Sequence, residues 1–483
     1  MQVSVIGLGY VGLVTAACVA DWGIDVIGVD TNASRIDALR AKRLPFFEPG
    51  LADLVGRGLH SHRLTFIDDP ATAAGNAEIV IIAVGTHDGN GGWQTKTVLS
   101  ALHTVVPHMP DDGILVIRST LPPQFIEDLP ELIGSIRAQA ARPSIPILLN
   151  PEFTREGSAV VDFLQPSRVV IGVIHDPAGR GVRMLQALYK RVSAPVMVMP
   201  AMNASLAKLG SNLFLATKIS FANELASLCD AFGADVDAVI GAMALDPRIG
   251  AAFMGPGIGF GGSCLPHQVT MTVRDAQAVG LATPLLSAVD AVNHRQRSSM
   301  VDRIAGLLDG MLDGRRIALL GLTFKPDTDD MRDAPSLSIA RELIDRGASV
   351  IAYDPQPGAC RHAEAAVPGL KIAGTAEEAL AGAEAIALVT EWPEFRAIDW
   401  SEARRLVRRA VLVDGRNALS VSDVVAAGFV YAGFGRGVSY PTPIPASAQF
   451  TLRPFESADD DHAVRVAEDT AAYDLAARER QEG

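Results

Sequence analysis

Apolar and polar residues follow two rhythms along this chain. Short runs dense in Val, Ile and Leu, at Val3–Ile6, Asp25–Val29, Ile79–Val84, Ile114–Arg118, Ile147–Leu149 and Val169–Val173, are separated by stretches of helical period. Such runs read as strands buried on both faces, and their alternation with amphipathic segments predicts a parallel sheet wrapped by helices. From about Asn203 to His294 the texture changes: Ala204–Phe232 is one long helical pattern with no Pro and a single Gly210. It predicts a helical middle with one long connecting helix. Strand–helix alternation resumes at Arg315–Gly321 and continues through Ser336–Arg346, Ser349–Tyr353, Ala385–Val389 and Ala410–Val413. The expected architecture is α/β, with two Rossmann-like doubly wound parallel-sheet domains (1–195 and 301–440) joined by a helical, dimer-forming segment (196–300). Residues 441–483 are rich in Pro, Ser, Ala and Asp and are expected to be a peripheral or disordered tail.

Gly7-Leu-Gly9-Tyr10-Val11-Gly12 lies between the first strand and an amphipathic segment, Val14–Trp22. Glycines so spaced allow a tight turn and the close approach of a pyrophosphate to a helix N-terminus. The second strand ends at Asp30, where a carboxylate can accept from ribose hydroxyls and repel a 2′-phosphate, so NAD is expected rather than NADP. Arg35, just past that strand, is a guanidinium that could sit beside such a phosphate. The second α/β region carries Gly321-Leu-Thr-Phe-Lys325 without the three-glycine spacing and is expected to bind something other than a dinucleotide.

Composition narrows the classes. The chain has 483 residues, 48% of them hydrophobic, and a formal net charge of −13. That charge argues against nucleic-acid binding, which needs clustered Lys and Arg. Neither a secretory leader nor a membrane span is legible, so the expectation is a soluble, cytoplasmic protein. Cys18, Cys229, Cys264 and Cys360 are scattered without metal-ligand spacing; no metal is expected and each is a free thiol.

Further motifs recur in order: Val84-Gly-Thr86, Ser119-Thr120-Leu-Pro122, Asn150-Pro-Glu-Phe-Thr-Arg-Glu-Gly157, Asp162-Phe163, Lys208 with Asn212, Gly259-Phe-Gly-Gly-Ser-Cys264, and Phe324-Lys-Pro-Asp-Thr-Asp-Asp-Met-Arg332. With the glycine fingerprint, they resemble the UDP-glucose/GDP-mannose dehydrogenase family over all but the tail. The resemblance implies oxidation of a sugar CH2OH to a carboxylate by two hydride transfers to NAD, with Cys264 as the nucleophile that holds the intermediate. A thiolate traps an aldehyde as a thiohemiacetal, whose carbon can release a second hydride to leave a thioester. Cys18 and Cys229 fall on apolar helical patterns and are expected to be buried and inert. Lys208 and Asn212, four apart on one helix face, are implied to meet a developing oxyanion. Glu152 and Glu156 are the implied carboxylates near carbinol and nicotinamide, and Thr120 would order water.

For the cofactor the resemblance points to Gly7, Gly9, Tyr10, Val11, Gly12, Asp30, Arg35, Thr86, Thr120, Glu156, His267 and Arg332. For the sugar nucleotide it points to Glu152, Phe153, Thr154, Arg155, Lys208, Asn212, Arg248, Phe253, Met254, Gly255, Pro256, Gly257, Gly261, Lys325 and Arg416. UDP-glucose is the leading substrate, because Asp162–Arg168 and Phe253–Gly257 look closer to that branch. The family's long central helix implies a homodimer or higher homo-oligomer, with Arg248 reaching the neighbouring subunit's site.

Two positions depart from the pattern. After the cysteine the family has a basic residue and an aspartate, whereas this chain has His267 and Gln268, and an amide cannot take a proton as a carboxylate can. His87 and Ser205 are smaller departures, where proline and glutamate are usual. Three outcomes follow: a complete dehydrogenase that uses Glu152 or Glu156 instead, an enzyme arrested at the thioester or altered toward another sugar product, or a silent protein that binds NAD and sugar nucleotide.

Overall fold

In the computed structural model, which describes residues 1–86 and 92–441, the apolar runs become the strands of two sheets. The first contains β1 (Gln2–Ile6), β2 (Asp25–Val29), β3 (Leu64–Ile67), β4 (Ile79–Ile82), β5 (Ile114–Ile117), β6 (Ile147–Leu149), β7 (Val169–His175) and β8 (Val196–Pro200). Their order is β3-β2-β1-β4-β5-β6-β7-β8. The strands are parallel from β3 to β6, whereas β7 runs antiparallel to β6 and parallel to β8. Central strands such as β4 and β5 are buried throughout, which is why they read as unbroken apolar runs. β8 is a half-exposed edge strand that gives no clean alternation. It carries the sheet to Pro200, so the helical middle starts at Ala201 and not at 196.

The helix Ala201–Phe232 follows, 32 residues long, or about 48 Å at 1.5 Å per residue. It packs along Pro284–Leu307, which leads into the second sheet. That sheet holds β9 (Arg316–Leu320), β10 (Ser349–Tyr353), β11 (Lys371–Ile372), β12 (Ala385–Leu388), β13 (Val411–Asp414), β14 (Val430–Ala432) and β15 (Val438–Ser439), in the order β11-β10-β9-β12-β13-β14-β15. Only β15 runs antiparallel to its neighbour. Residues 1–441 form one compact unit. His87 and the tail from 442 lie outside the described residues, and among those described no helix is long and apolar enough to cross a membrane.

The second sheet repeats the first in its opening turn. Gly7 and Gly321 both have φ +94°. Leu8 N donates to Asp30 Oδ2 (3.0 Å), as Leu322 N donates to Asp354 Oδ2 (2.7 Å). The copies then diverge. Helix Tyr10–Asp21 begins at the first turn, whereas the helix after β9 begins only at Pro335. Asp354 also accepts from Thr323 N, Gln356 N and the Trp392 indole. The second turn therefore offers neither a helix N-terminus nor an open carboxylate, the two features by which such turns hold a dinucleotide.

Candidate active site

The dinucleotide turn has room only where a ligand needs it. A Cβ on Gly12 would lie 1.8 Å from Gly7 O, and one on Gly7 would lie 2.8 Å from Ala83 O, so these two glycines close the turn. Gly9 caps the first helix and faces open space. That open space lies at the helix N-terminus, where backbone amides such as those of Tyr10 and Val11 could meet a diphosphate. Asp30 accepts from Leu8 N and pairs with Arg35 at 2.7 Å. The guanidinium that left NADP open is thus engaged by the carboxylate that disfavours it.

Tyr10 also reaches across the turn. Its hydroxyl donates to Glu48, a buried carboxylate that accepts from Gly157 N (2.7 Å) and Ala159 N (2.7 Å) as well. Glu48 thereby ties the dinucleotide turn to the loop after β6, which carries Glu152 and Glu156. Sequence reasoning missed Glu48, whose setting, Phe47-Glu-Pro-Gly50, resembles any exposed turn.

A cavity of about 630 Å³ opens between this loop, the central helix and the second α/β region. Lys208, Asn212, Glu156, Cys264, Lys325 and Arg416 line it, with Phe153–Arg155, Phe253, Gly255 and Gly261. Lys208 is not a solvated helix lysine: it is 4% exposed and sits 2.9 Å from Glu152 Oε1. Glu152 Oε2 accepts from Thr154 N and Oγ1. Burial alone would raise the Glu152 pKa, but Lys208 and Thr154 overcome it and hold the carboxyl at about 2. Glu156 goes the other way. Burial and the neighbouring Asp330 charge push it up to about 8, although Arg332 Nη2 lies 3.1 Å from its Oε1. Ser263 Oγ, next to the cysteine, is 3.4 Å from the same oxygen.

Cys264 caps helix Leu265–Ala278, and its sulfur opens onto the cavity. Desolvation by the surrounding walls, with the Glu152 charge, raises the thiol pKa, and Lys208 opposes them. Gln268 lies one turn on, 2% exposed, and its Oε1 accepts from Asn212 Nδ2 at 2.8 Å. The amide thus serves as acceptor and fixes Asn212, but supplies no base. His267 stands beside it on the same first turn, and Thr120 follows β5.

The glycine-rich loop before Cys264 is shaped by protein packing. Added Cβ atoms on Gly259 and Gly261 would lie 2.4 Å from Asn293 Oδ1 and 2.4 Å from Asp333 O. Asn293 bonds both N and O of Phe260, and Arg297 bonds Phe260 O and Asp333. These two buried residues of helix Pro284–Leu307 went unnoticed in the sequence, where polar residues at helical spacing read as a solvated face. Arg416 spends its guanidinium on the carbonyls of Val389, Gly259 and Phe324, which clamps three loops at the cavity wall. Gly257 N donates to buried Asn223, and Met254 is buried. Thr86 is buried just beyond β4, and Arg155 is bound twice by Asp162. Arg248 is not brought to this cavity; it is 88% exposed and paired with Asp246.

Comparison with known proteins gives this geometry its family. Residues 1–193 match the UDP-glucose/GDP-mannose dehydrogenase family NAD binding domain, 202–295 its central domain and 318–421 its UDP binding domain. A UDP-glucose 6-dehydrogenase of Pseudomonas aeruginosa is 40% identical over 90% of this chain and 98% of its own length. One of Rhizobium meliloti is 38% identical over 90% of this chain and all of its own length. A solved UDP-glucose dehydrogenase from Pyrobaculum islandicum superposes with a TM-score of 0.80 at 35% identity, covering 90% of this chain and 97% of that one. The chain therefore belongs to the UDP-glucose/GDP-mannose dehydrogenase family and is an NAD-dependent nucleotide-sugar dehydrogenase.

Proposed function

We propose that this chain oxidises the C6 alcohol of UDP-glucose to the uronate in two steps, with the carbon held on Cys264 between them. The observation that carries this reading is the meeting on one cavity of Cys264, the Asn212 amide and Lys208, whose ammonium is held by Glu152 from behind the wall. NAD supplies the acceptor for hydride when bound against Gly9 and Asp30. Lys208 and Asn212 place an ammonium and an amide where an alkoxide or thiohemiacetal oxygen would gather charge. Glu156, held largely protonated near neutrality, is matched to proton exchange with substrate or water, whereas Glu152, held ionised, keeps Lys208 in place. Lys325 and the backbone of Phe153–Arg155 border the space for the diphosphate and sugar. UDP-glucose is favoured because the relatives from Pseudomonas aeruginosa and Rhizobium meliloti carry that specificity in their names.

A second copy is proposed to cover the central helix. Phe214, Phe221 and Leu228 recur every seven residues and are exposed, with Phe232 beyond them. Such a stripe is the seam on which a helix pairs. Arg248, exposed in its own subunit, would then be available to its neighbour.

Mixing purified protein with UDP-glucose and NAD and following absorbance and intact mass tests the reading. Two NADH per sugar with free uronate supports it. A stop at two NADH per site with an adduct on Cys264 favours the arrested enzyme, for which the Gln268–Asn212 bond is the specific observation. No NADH and no adduct would sink the UDP-glucose assignment and favour another sugar nucleotide or the silent binding protein.

A further inference from the structure

A second cavity, of about 310 Å³, shares Phe153–Arg155, Ser167 and Arg168 with the Cys264 cavity and is otherwise lined by different residues, among them Arg118, Asn150 and Tyr189. Among the described residues, two of its guanidiniums have no carboxylate in direct contact. Arg118, at the carboxyl end of β5, is 5% exposed. Its Nη1 donates to Asn150 Oδ1 (2.7 Å) and the Tyr189 hydroxyl (3.0 Å), both neutral, and among the described residues its buried Nε has no acceptor. Arg168 lies 3.8 Å over the Phe153 ring and, among the described residues, donates to the hydroxyls of Ser167 and Ser211. Among the described residues neither arginine forms an ion pair.

The carboxylates of the lining are already engaged. Glu152 is bound to Lys208 at 2.9 Å, and Asp162 is bound to Arg155. The lining thus holds three guanidiniums against two carboxylates, each carboxylate in direct contact with a cation other than Arg118 or Arg168, while Arg118 acts on Glu152 only at longer range. Charge buried without a counter-charge is costly, and a polar cavity beside it is where an anion would relieve that cost. Guanidinium groups fork onto the oxygens of phosphate more closely than onto a spherical anion.

We propose that this cavity is an oxyanion site for a phosphoryl group, held between Arg118 and Arg168 and adjoining, across Phe153–Arg155, the cavity where the sugar nucleotide is oxidised. The group is either free phosphate or part of a phosphorylated molecule. Since the site borders the Phe153–Arg155 loop, its occupant touches the strand of chain that follows Glu152.

Equilibrium dialysis of the full chain against labelled inorganic phosphate at low ionic strength tests this without turnover. One phosphate is expected per chain, weakened about tenfold or more in Arg168→Gln, and likewise in Arg118→Lys, which keeps the charge but loses the fork. Lys325→Gln, which removes a cation from the Cys264 cavity alone, is expected to leave binding unchanged. Thermal melts separate loss of the site from loss of the fold, and the Arg168 variant stands if the buried Arg118 variant does not fold. In the Lys325→Gln background, competition by UDP would identify a phosphorylated ligand, and no competition would identify free phosphate; either supports the site. Equal binding by wild type and Arg168→Gln, binding lost in Lys325→Gln, or no binding up to about 10 mM would overturn it.

Discussion

Replacing Lys208 by Met removes one half of a buried ion pair and leaves the other. Glu152 stands at about 2 instead of the ordinary 4.5, and at 1.36 kcal/mol per pH unit that difference is about 3 kcal/mol of stability. This net gain survives burial, which by itself acts in the opposite direction, so the variant should lose it and also carry the uncompensated charge. Breaking such a pair typically costs about 3–5 kcal/mol. The sign of the pH dependence should reverse too. In wild type the folded carboxyl is the stronger acid, so its contribution is complete above about pH 5 and fades as pH falls from 4.5 toward 2. In Lys208→Met the carboxyl is pushed above 4.5 by burial, and acidification through the new value should stabilise the fold relative to neutral pH. Urea unfolding between about pH 2 and 8, with Glu152→Gln/Lys208→Met as the neutral reference, measures both effects. A loss below about 1 kcal/mol with an unchanged pH slope would refute the reasoning.

Gln268→Asp should return a carboxylate beside Asn212 and accelerate thioester hydrolysis on the order of 10²-fold, the lower range of a general-base contribution; rapid-quench mass spectrometry of the Cys264 adduct checks it, and an unchanged adduct lifetime would place the base elsewhere. Glu156 is raised to about 8, so the folded state holds its proton longer than the unfolded state and stability should fall as pH climbs from 4.5 to 8. Glu156→Gln should remove that slope, and parallel melting curves for the two proteins would contradict it. Glu48→Gln turns an acceptor into a donor facing Gly157 N or Ala159 N. It should cost about 1–3 kcal/mol and weaken NAD binding in calorimetry; normal affinity with a normal melt would remove Glu48 from that role.

Local pattern was enough for much of this protein. Glycines at 7, 9 and 12 after an apolar strand announce the dinucleotide turn, because at 7 and 12 a Cβ would run into backbone oxygens while 9 stays open toward a ligand, and the pattern is written in neighbouring positions. Buried parallel strands are legible for a similar reason: both faces demand apolar side chains. Edge strands such as β8 and β15 impose no such demand and passed unnoticed. Resemblance of ordered motifs, rather than periodicity, singled out Cys264, Lys208 and Glu152.

Tertiary structure alone decided what those groups are. Lys208 meets Glu152, and Asn212 meets Gln268, each across 56 residues of sequence, and Tyr10 meets Glu48 across 38. Nothing in the local sequence encodes such pairings, because they depend on where separate helices and loops cross. The same crossing splits two loop glutamates of one motif, leaving Glu152 strongly acidic beside a cation and Glu156 weakly acidic beside Asp330. Sequence supplies the groups and their order; the low-dielectric neighbourhood that sets their charge exists only once the chain has folded.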